Sequence, residues 1–165
     1  MTRSRIVAIL AIGPLALVLV LLSSQEGIAR WLANEPVVVV TGQVGTPHAV
    51  GGPVVTVEGA QLVDRDSEAA GYADAPEGAQ VVVVDLRIDE ADDIAARCSF
   101  RLEATVGGVH AQWLWDGGAS EVTGCYAEEG SLSGPLGFVV PAGAIEDARL
   151  LVGGEPLWLG VPLTL

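Results

Sequence analysis

The sequence predicts an all-β protein, an antiparallel β-sandwich of about seven to nine strands preceded by one N-terminal transmembrane helix. Three observations carry this. Short segments rich in Val, Leu and Thr recur from residue 37 onward, separated by Gly, Pro and Asp. Two of those segments show the two-residue alternation of a strand with one buried face. Upstream of all of them, Ile6 to Leu22 is a continuous apolar run with no charge inside it.

That run comes first in the chain. Its length corresponds to about 26 Å of helix, the short end of a membrane span. Gly13 and Pro14 interrupt it, which membrane helices tolerate at the cost of a kink. Arg3 and Arg5 precede it and the first acid is Glu26, so the N-terminus is expected in the cytoplasm and the rest outside. The organisation is then a cytoplasmic tail (1–5), an anchor or signal sequence in the lipid bilayer (6–24), a linker (25–36) and one extracytoplasmic domain (37–165). Two fates of the run stay open: retention as an anchor in the cell membrane, or cleavage before Arg30 with Gly27 and Ala29 as the small residues of the site, which would secrete the domain. Trp31, beside Arg30, is an interfacial aromatic if the anchor stays and a solvent-exposed linker residue otherwise.

The strands follow in order. Val37–Thr41 is the first candidate, and Val54–Glu58, continued by Ala60–Val63, the second. Asp64–Gly78 is acidic, small and irregular, and reads as a loop. Val81–Ile88 is the strongest strand, with Val82, Val84, Leu86 and Ile88 on one face and Asp85, Arg87 and Asp89 on the other. Asp89–Arg97 is either a short helix or an acidic loop. Phe100, Leu102, Ala104 and Val106 alternate with Arg101, Glu103 and Thr105. Gly107 and Gly108 then supply a two-residue hairpin turn into Val109–Trp115. Leu136–Val140, Ala148–Val152 and Leu157–Leu165 complete the set.

Composition excludes some functions. From Arg30 onward the chain has six Arg against 20 Asp plus Glu, which repels phosphate backbones, so no nucleic-acid partner is expected. The absence of lysine beside abundant Ala, Gly, Val and Arg reads as coding bias of a GC-rich genome such as an actinobacterium's. Cys98 and Cys125, an even pair in an exported domain, are expected to form a disulfide. Closing a loop of about 28 residues stabilises by roughly 3–4 kcal/mol in the chain-entropy model.

Chemistry-bearing motifs are sparse. His48 and His110 are the two histidines, and no Gly-x-Ser-x-Gly elbow accompanies them, so no catalytic residue and no enzyme activity is assigned. Asp64, Asp66 and Glu68 resemble the opening of a calcium loop, but Ala69 and Ala75 stand where that loop needs Gly and Glu. Asp89, Asp92 and Asp93 form a second acidic group. These six are the weak candidates for a divalent cation, and no cofactor is otherwise implied. Trp113 and Trp115 share a face with Val109 and Ala111, which favours an inward direction. The alternative turns both tryptophans outward as a binding surface. Trp158 lies opposite the face of Leu157, Leu159, Val161 and Leu163 and is the expected exposed aromatic, hence a candidate interaction surface with Trp31.

The exported N-terminus, a domain of about 130 residues and the stretch Gly134-Pro135-Leu136-Gly137-Phe138-Val139-Val140-Pro141 together resemble the telokin-like, immunoglobulin-type extracellular domains of actinobacterial secreted and membrane-anchored proteins, the family of the mycobacterial immunoprotective extracellular protein. Val81–Ile88 is similar to the central hydrophobic strand of that family. The resemblance covers roughly residues 37–165. It implies an immunoglobulin-like sandwich outside the cell and, by default, a non-enzymatic binding or interaction role toward another envelope protein. It brings no catalytic residues. The alternatives are an envelope enzyme with a site dispersed in sequence and a cation-responsive domain built on the acidic loops.

Overall fold

The computed structural model describes residues 39–50, 52–89, 98–125, 130–154 and 157–165. The expected span 6–24, Trp31, and Asp92 and Asp93 lie outside these, as does most of the segment Asp89–Arg97. Among the described residues no helix is long and apolar enough to cross a membrane.

Among the described residues nine strands form two sheets. They are β1 (Val39–Thr41), β2 (His48–Ala49), β3 (Val54–Asp64), β4 (Ala79–Asp89), β5 (Ser99–Val106), β6 (Val109–Leu114), β7 (Ser131–Pro141), β8 (Ile145–Gly154) and β9 (Leu157–Pro162). One sheet has the order β1-β9-β8-β5-β6 and the other β2-β3-β4-β7. All pairings are antiparallel except β1 with β9, where Val39, Val40 and Thr41 run parallel to Trp158, Leu159 and Gly160. A strand this short and this far in sequence from its partner is free to lie in either direction.

The two expected alternating strands take the positions their periodicity demands. Phe100, Leu102, Ala104 and Val106 on β5 meet Val82, Val84, Leu86 and Ile88 on β4 in one core, joined by Val55, Val57, Leu136, Phe138, Val140, Leu150, Val152, Leu159 and Val161. Each fully buried side chain of this kind contributes about 1.5–3 kcal/mol. The second predicted strand is continuous through Gly59, with a bulge between Val57 and Gly59. Gly107 and Gly108, at φ 57° and 81°, form the mirror-image turn in which both central residues need positive φ. Trp113 and Trp115 pack against the core while Leu114 is 72 % exposed, so the tryptophans point inward. Cys98 and Cys125 are disulfide-bonded across a sequence separation of 27, with their Cα atoms 5.3 Å apart.

Two expectations are corrected. Val81 and Val83 lie on the face of β4 expected to be wet, yet both are buried with Ala70 and Ala119 in a second small cluster. The loop 64–78, which contains a 3-10 turn at Glu68–Ala70, supplies Ala70, and the segment after β6 supplies Ala119. That face is therefore covered at Val81 and Val83, while Asp85 and Arg87 remain exposed.

Trp158 is the other correction. It is 4 % exposed instead of being an open aromatic. Its indole occupies the space that a side chain at Gly153, its cross-strand neighbour, would fill. The Arg101 guanidinium carbon lies 5.2 Å from the ring centroid on the same face. A missing Cβ below and a cation above bury a side chain that alternation alone places on the outer face.

Candidate functional site

The stretch Gly134–Pro141 is most of β7, and its composition answers to a chain crossing. Asp116 to Val122 runs across β7: Asp116 N donates to Gly137 O, while Glu121 N and Val122 N donate to Pro135 O. A Cβ at Gly134 would meet Glu121 and one at Gly137 would overlap Ala119, so both positions need glycine for close approach. Pro135 lacks an N–H and accepts through its carbonyl at this edge.

The crossing segment is held at both ends. Asp116 Oδ1 accepts from Gly118 N at 2.9 Å and Ala119 N at 3.1 Å. Ser120 Oγ donates to Asp116 O at 2.6 Å and accepts from Gly137 N at 3.0 Å. Tyr72 N donates to Gly118 O at 2.8 Å, tying the loop after the 3-10 turn to the same segment.

Between these two loops, over β3, β4 and β7, lies a groove of about 540 Å³. Its floor includes Gln61, Val83, Asp85 and Pro135, and its walls include Glu68, Tyr72 and Glu121. Three carboxylates and no basic side chain line it, and Tyr72 is 93 % exposed at its edge. The surface suits a partner with positive charge and some apolar area.

The outer face of the five-stranded sheet carries a second arrangement. Glu103, 8 % exposed, accepts from Arg149 Nη2 at 2.7 Å on Oε1 and from Gln112 Nε2 at 3.1 Å on Oε2. His110 Nε2 lies 3.3 Å from the same Oε1, and His110 Nδ1 is 3.5 Å from Thr105 Oγ1. Arg101 Nη1 donates to Gln112 Oε1 at 3.2 Å. Alternation places Arg101, Glu103 and Thr105 on the wet face, but only strand pairing brings the network into register: Glu103 faces Gln112 on one side and Arg149 on the other, and Thr105 faces His110.

Carboxylate, imidazole and hydroxyl stand here in the order used by hydrolases. The imidazole is nonetheless 61 % exposed on an open sheet face. A flat strand surface offers neither a cleft for substrate nor converging N–H donors for an oxyanion. The arrangement works as a cross-strand polar network. His48 is occupied elsewhere, its Nε2 accepting from Gln43 N at 3.1 Å.

Of the acidic cation candidates the structure describes Asp64, Asp66, Glu68 and Asp89. Among the described residues no group of three His, Cys, Asp or Glu could hold a metal ion. Asp64, Asp66 and Arg65 line one more open groove of about 440 Å³ with Ser67 and Ala79. Arg65 pairs with Asp66 at 3.4 Å and donates to Ala75 O at 3.1 Å, so Asp66 already has a cation beside it. Glu68 belongs to the 3-10 turn capped by Ser67 Oγ, which accepts from Ala69 N. Asp89 closes β4 in an ion pair with Arg87 at 3.0 Å. Against known proteins, no family model, no curated protein and no solved structure matches the chain.

Proposed function

We propose that this chain is a membrane-anchored, extracytoplasmic module of the cell envelope that binds another envelope protein without catalysis. The observation that carries the reading is the groove between the loop 67–72 and the segment 116–121. Its walls are braced by hydrogen bonds to each other and to β7, so little ordering is required on binding. Its acidic lining favours a basic segment of the partner. The apolar run Ile6–Leu22 supports the membrane location, and the Cys98–Cys125 disulfide supports an oxidising compartment. The two antiparallel-rich sheets are compatible with the immunoglobulin-type family that the sequence resembles.

The test is photo-crosslinking in membranes. A photoreactive residue at Tyr72 should capture a defined partner, identified by mass spectrometry, and the charge-reversing variant Glu121→Lys should lower the yield. Equal yields from Tyr72 and from Glu58, an exposed residue on β3 outside the groove, would remove the groove from the reading. Intact-mass measurement of the membrane fraction addresses the anchor: a mature start at Arg30 would refute it.

The row Thr105–His110–Glu103 is the one observation that favours an envelope hydrolase instead. That reading requires covalent labelling by an activated ester or phosphonate to disappear in Thr105→Val. Equal labelling of the parent and Thr105→Val eliminates it.

A further inference from the structure

Among the described residues β6 presents an unpaired edge six residues long, against three in β1 and two in β2. β6 ends the five-stranded sheet. The hairpin closed by Val106 and Val109 fixes which backbone groups face β5. Val109, Ala111 and Trp113 exchange hydrogen bonds with β5, so the N–H and C=O of His110, Gln112 and Leu114 point away from the sheet. Among the described residues no other backbone group bonds them. Natural sheets protect such an edge with charge, proline or a bulge. β6 has none of these, and Val109 and Leu114 are 66 % and 72 % exposed. The open stretch of β3 beyond β2, by contrast, carries a bulge and the acids Glu58 and Asp64.

We propose that β6 pairs antiparallel with β6 of a second copy about a two-fold axis at Gln112, joining two five-stranded sheets into one of ten strands. The register selects itself. With the axis at Gln112, the outward groups of residue 112 meet those of 112 in the partner, and those of 110 meet 114, giving about six backbone hydrogen bonds. The intervening close pair is Ala111 against Trp113 of the partner subunit, on the core side, occurring twice. A small residue against a large one fits the shorter spacing of such pairs. Shifting the axis to Trp113 sets two tryptophans against each other, and shifting it to Ala111 leaves the outward groups of Leu114 unpaired.

Charge permits the same occupant at this edge. The chain carries a net −13, so two copies repel over most of their surfaces. β6 contains no acid, its neighbour Glu103 is already bonded by Arg149 and Gln112, and Arg101 lies beside it. The neutral Gln112 at the axis places no like charges opposite each other.

Sedimentation equilibrium of the full chain in detergent tests this. A reversible dimer is expected, tighter at about 0.5 M salt than at about 0.05 M because screening reduces the mutual repulsion. Gln112→Pro removes the outward N–H at the axis and leaves the ladder to β5 intact, so it should weaken the dimer at least about tenfold with circular dichroism unchanged. Gln112→Cys should give a covalent dimer under mild oxidation, since directly paired Cα atoms about 5.5 Å apart accept a disulfide. Glu58→Cys should not. A chain that stays monomeric to about 100 µM overturns the proposal and leaves β6 to a strand of a different protein. So does a dimer whose dissociation constant Gln112→Pro leaves unchanged, or Gln112→Cys that cross-links no better than Glu58→Cys.

Discussion

Glu103 and Arg149 on one sheet face and Arg87 and Asp89 on the other provide two ion pairs that should behave differently. The perturbation is Glu103→Gln, alone and combined with Arg149→Met. Glu103 has 10 % of its side chain exposed and receives Arg149 at 2.7 Å, Gln112 at 3.1 Å and His110 at 3.3 Å. A glutamine keeps the shape but offers one acceptor oxygen and turns an NH₂ toward donors. Losing a hydrogen bond to a charged group costs about 1.5–3 kcal/mol. Arg149 is 42 % exposed and recovers part of that from water, which brings the expected loss to about 2 kcal/mol. Spread over the about 127 residues from Val39 to Leu165 at about 2.1 cal/mol/K each, this lowers Tm by roughly 7 °C. The assay is urea and thermal unfolding of the four proteins of the cycle. The coupling between positions 103 and 149 should be about 1–2 kcal/mol. The Arg87–Asp89 pair, 51 % and 37 % exposed, should couple by less than about 0.5 kcal/mol. A loss under about 0.5 kcal/mol for Glu103→Gln, with couplings that do not differ between the two pairs, would refute the claim that partial burial and shared donors make this network stabilising.

The remaining predictions concern the covalent and backbone constraints. Replacing both Cys98 and Cys125 by Ala should destabilise by roughly 3–4 kcal/mol from loop entropy; reductant should lower the parent's Tm toward that of the variant and leave the variant unmoved. Gly107→Val forces a β-branched residue into the positive-φ turn and should cost at least about 1–2 kcal/mol in chemical denaturation, whereas Gly124→Ala, which meets nothing, should cost less. Asp116→Ala removes the acceptor for two amides and should cost about 1–2 kcal/mol, with faster hydrogen exchange at Gly118 and Ala119. Gly137→Leu should be the most damaging single change at β7, because its Cβ overlaps the crossing backbone at Ala119; unchanged stability would contradict the close approach.

The site was legible only in pieces. Arg101, Glu103 and Thr105 could be assigned to a wet face because alternation reports the face of each residue within its own strand. Nothing in that periodicity says that Glu103 lies between Gln112 and Arg149, since Arg149 is 46 positions away and joins through the pairing of β5 with β8. The groove was illegible for the same reason. Its walls come from segments about 45 residues apart, and the residues that join them, Tyr72 and Gly118, do so through backbone atoms that carry no side-chain signature. Gly134 and Gly137 were visible as a motif, but not as the space left for Ala119 and Glu121.

By itself the sequence determined the local and the covalent: the inward faces of β4 and β5, the Gly107-Gly108 turn and the cysteine pair that closes, and it favoured the inward direction of Trp113 and Trp115. Each rests on chemistry confined to a few neighbouring residues, or on two thiols with no other partner. Tertiary structure alone decided what lies over the outer faces. It buried Trp158 against Gly153 and Arg101, covered Val81 and Val83 with Ala70 and Ala119, set β1 parallel to β9, and gathered Glu103 with three donors. The reason is that a period of two states which side a residue faces, while what it meets there depends on chain closures that residues distant in sequence must supply.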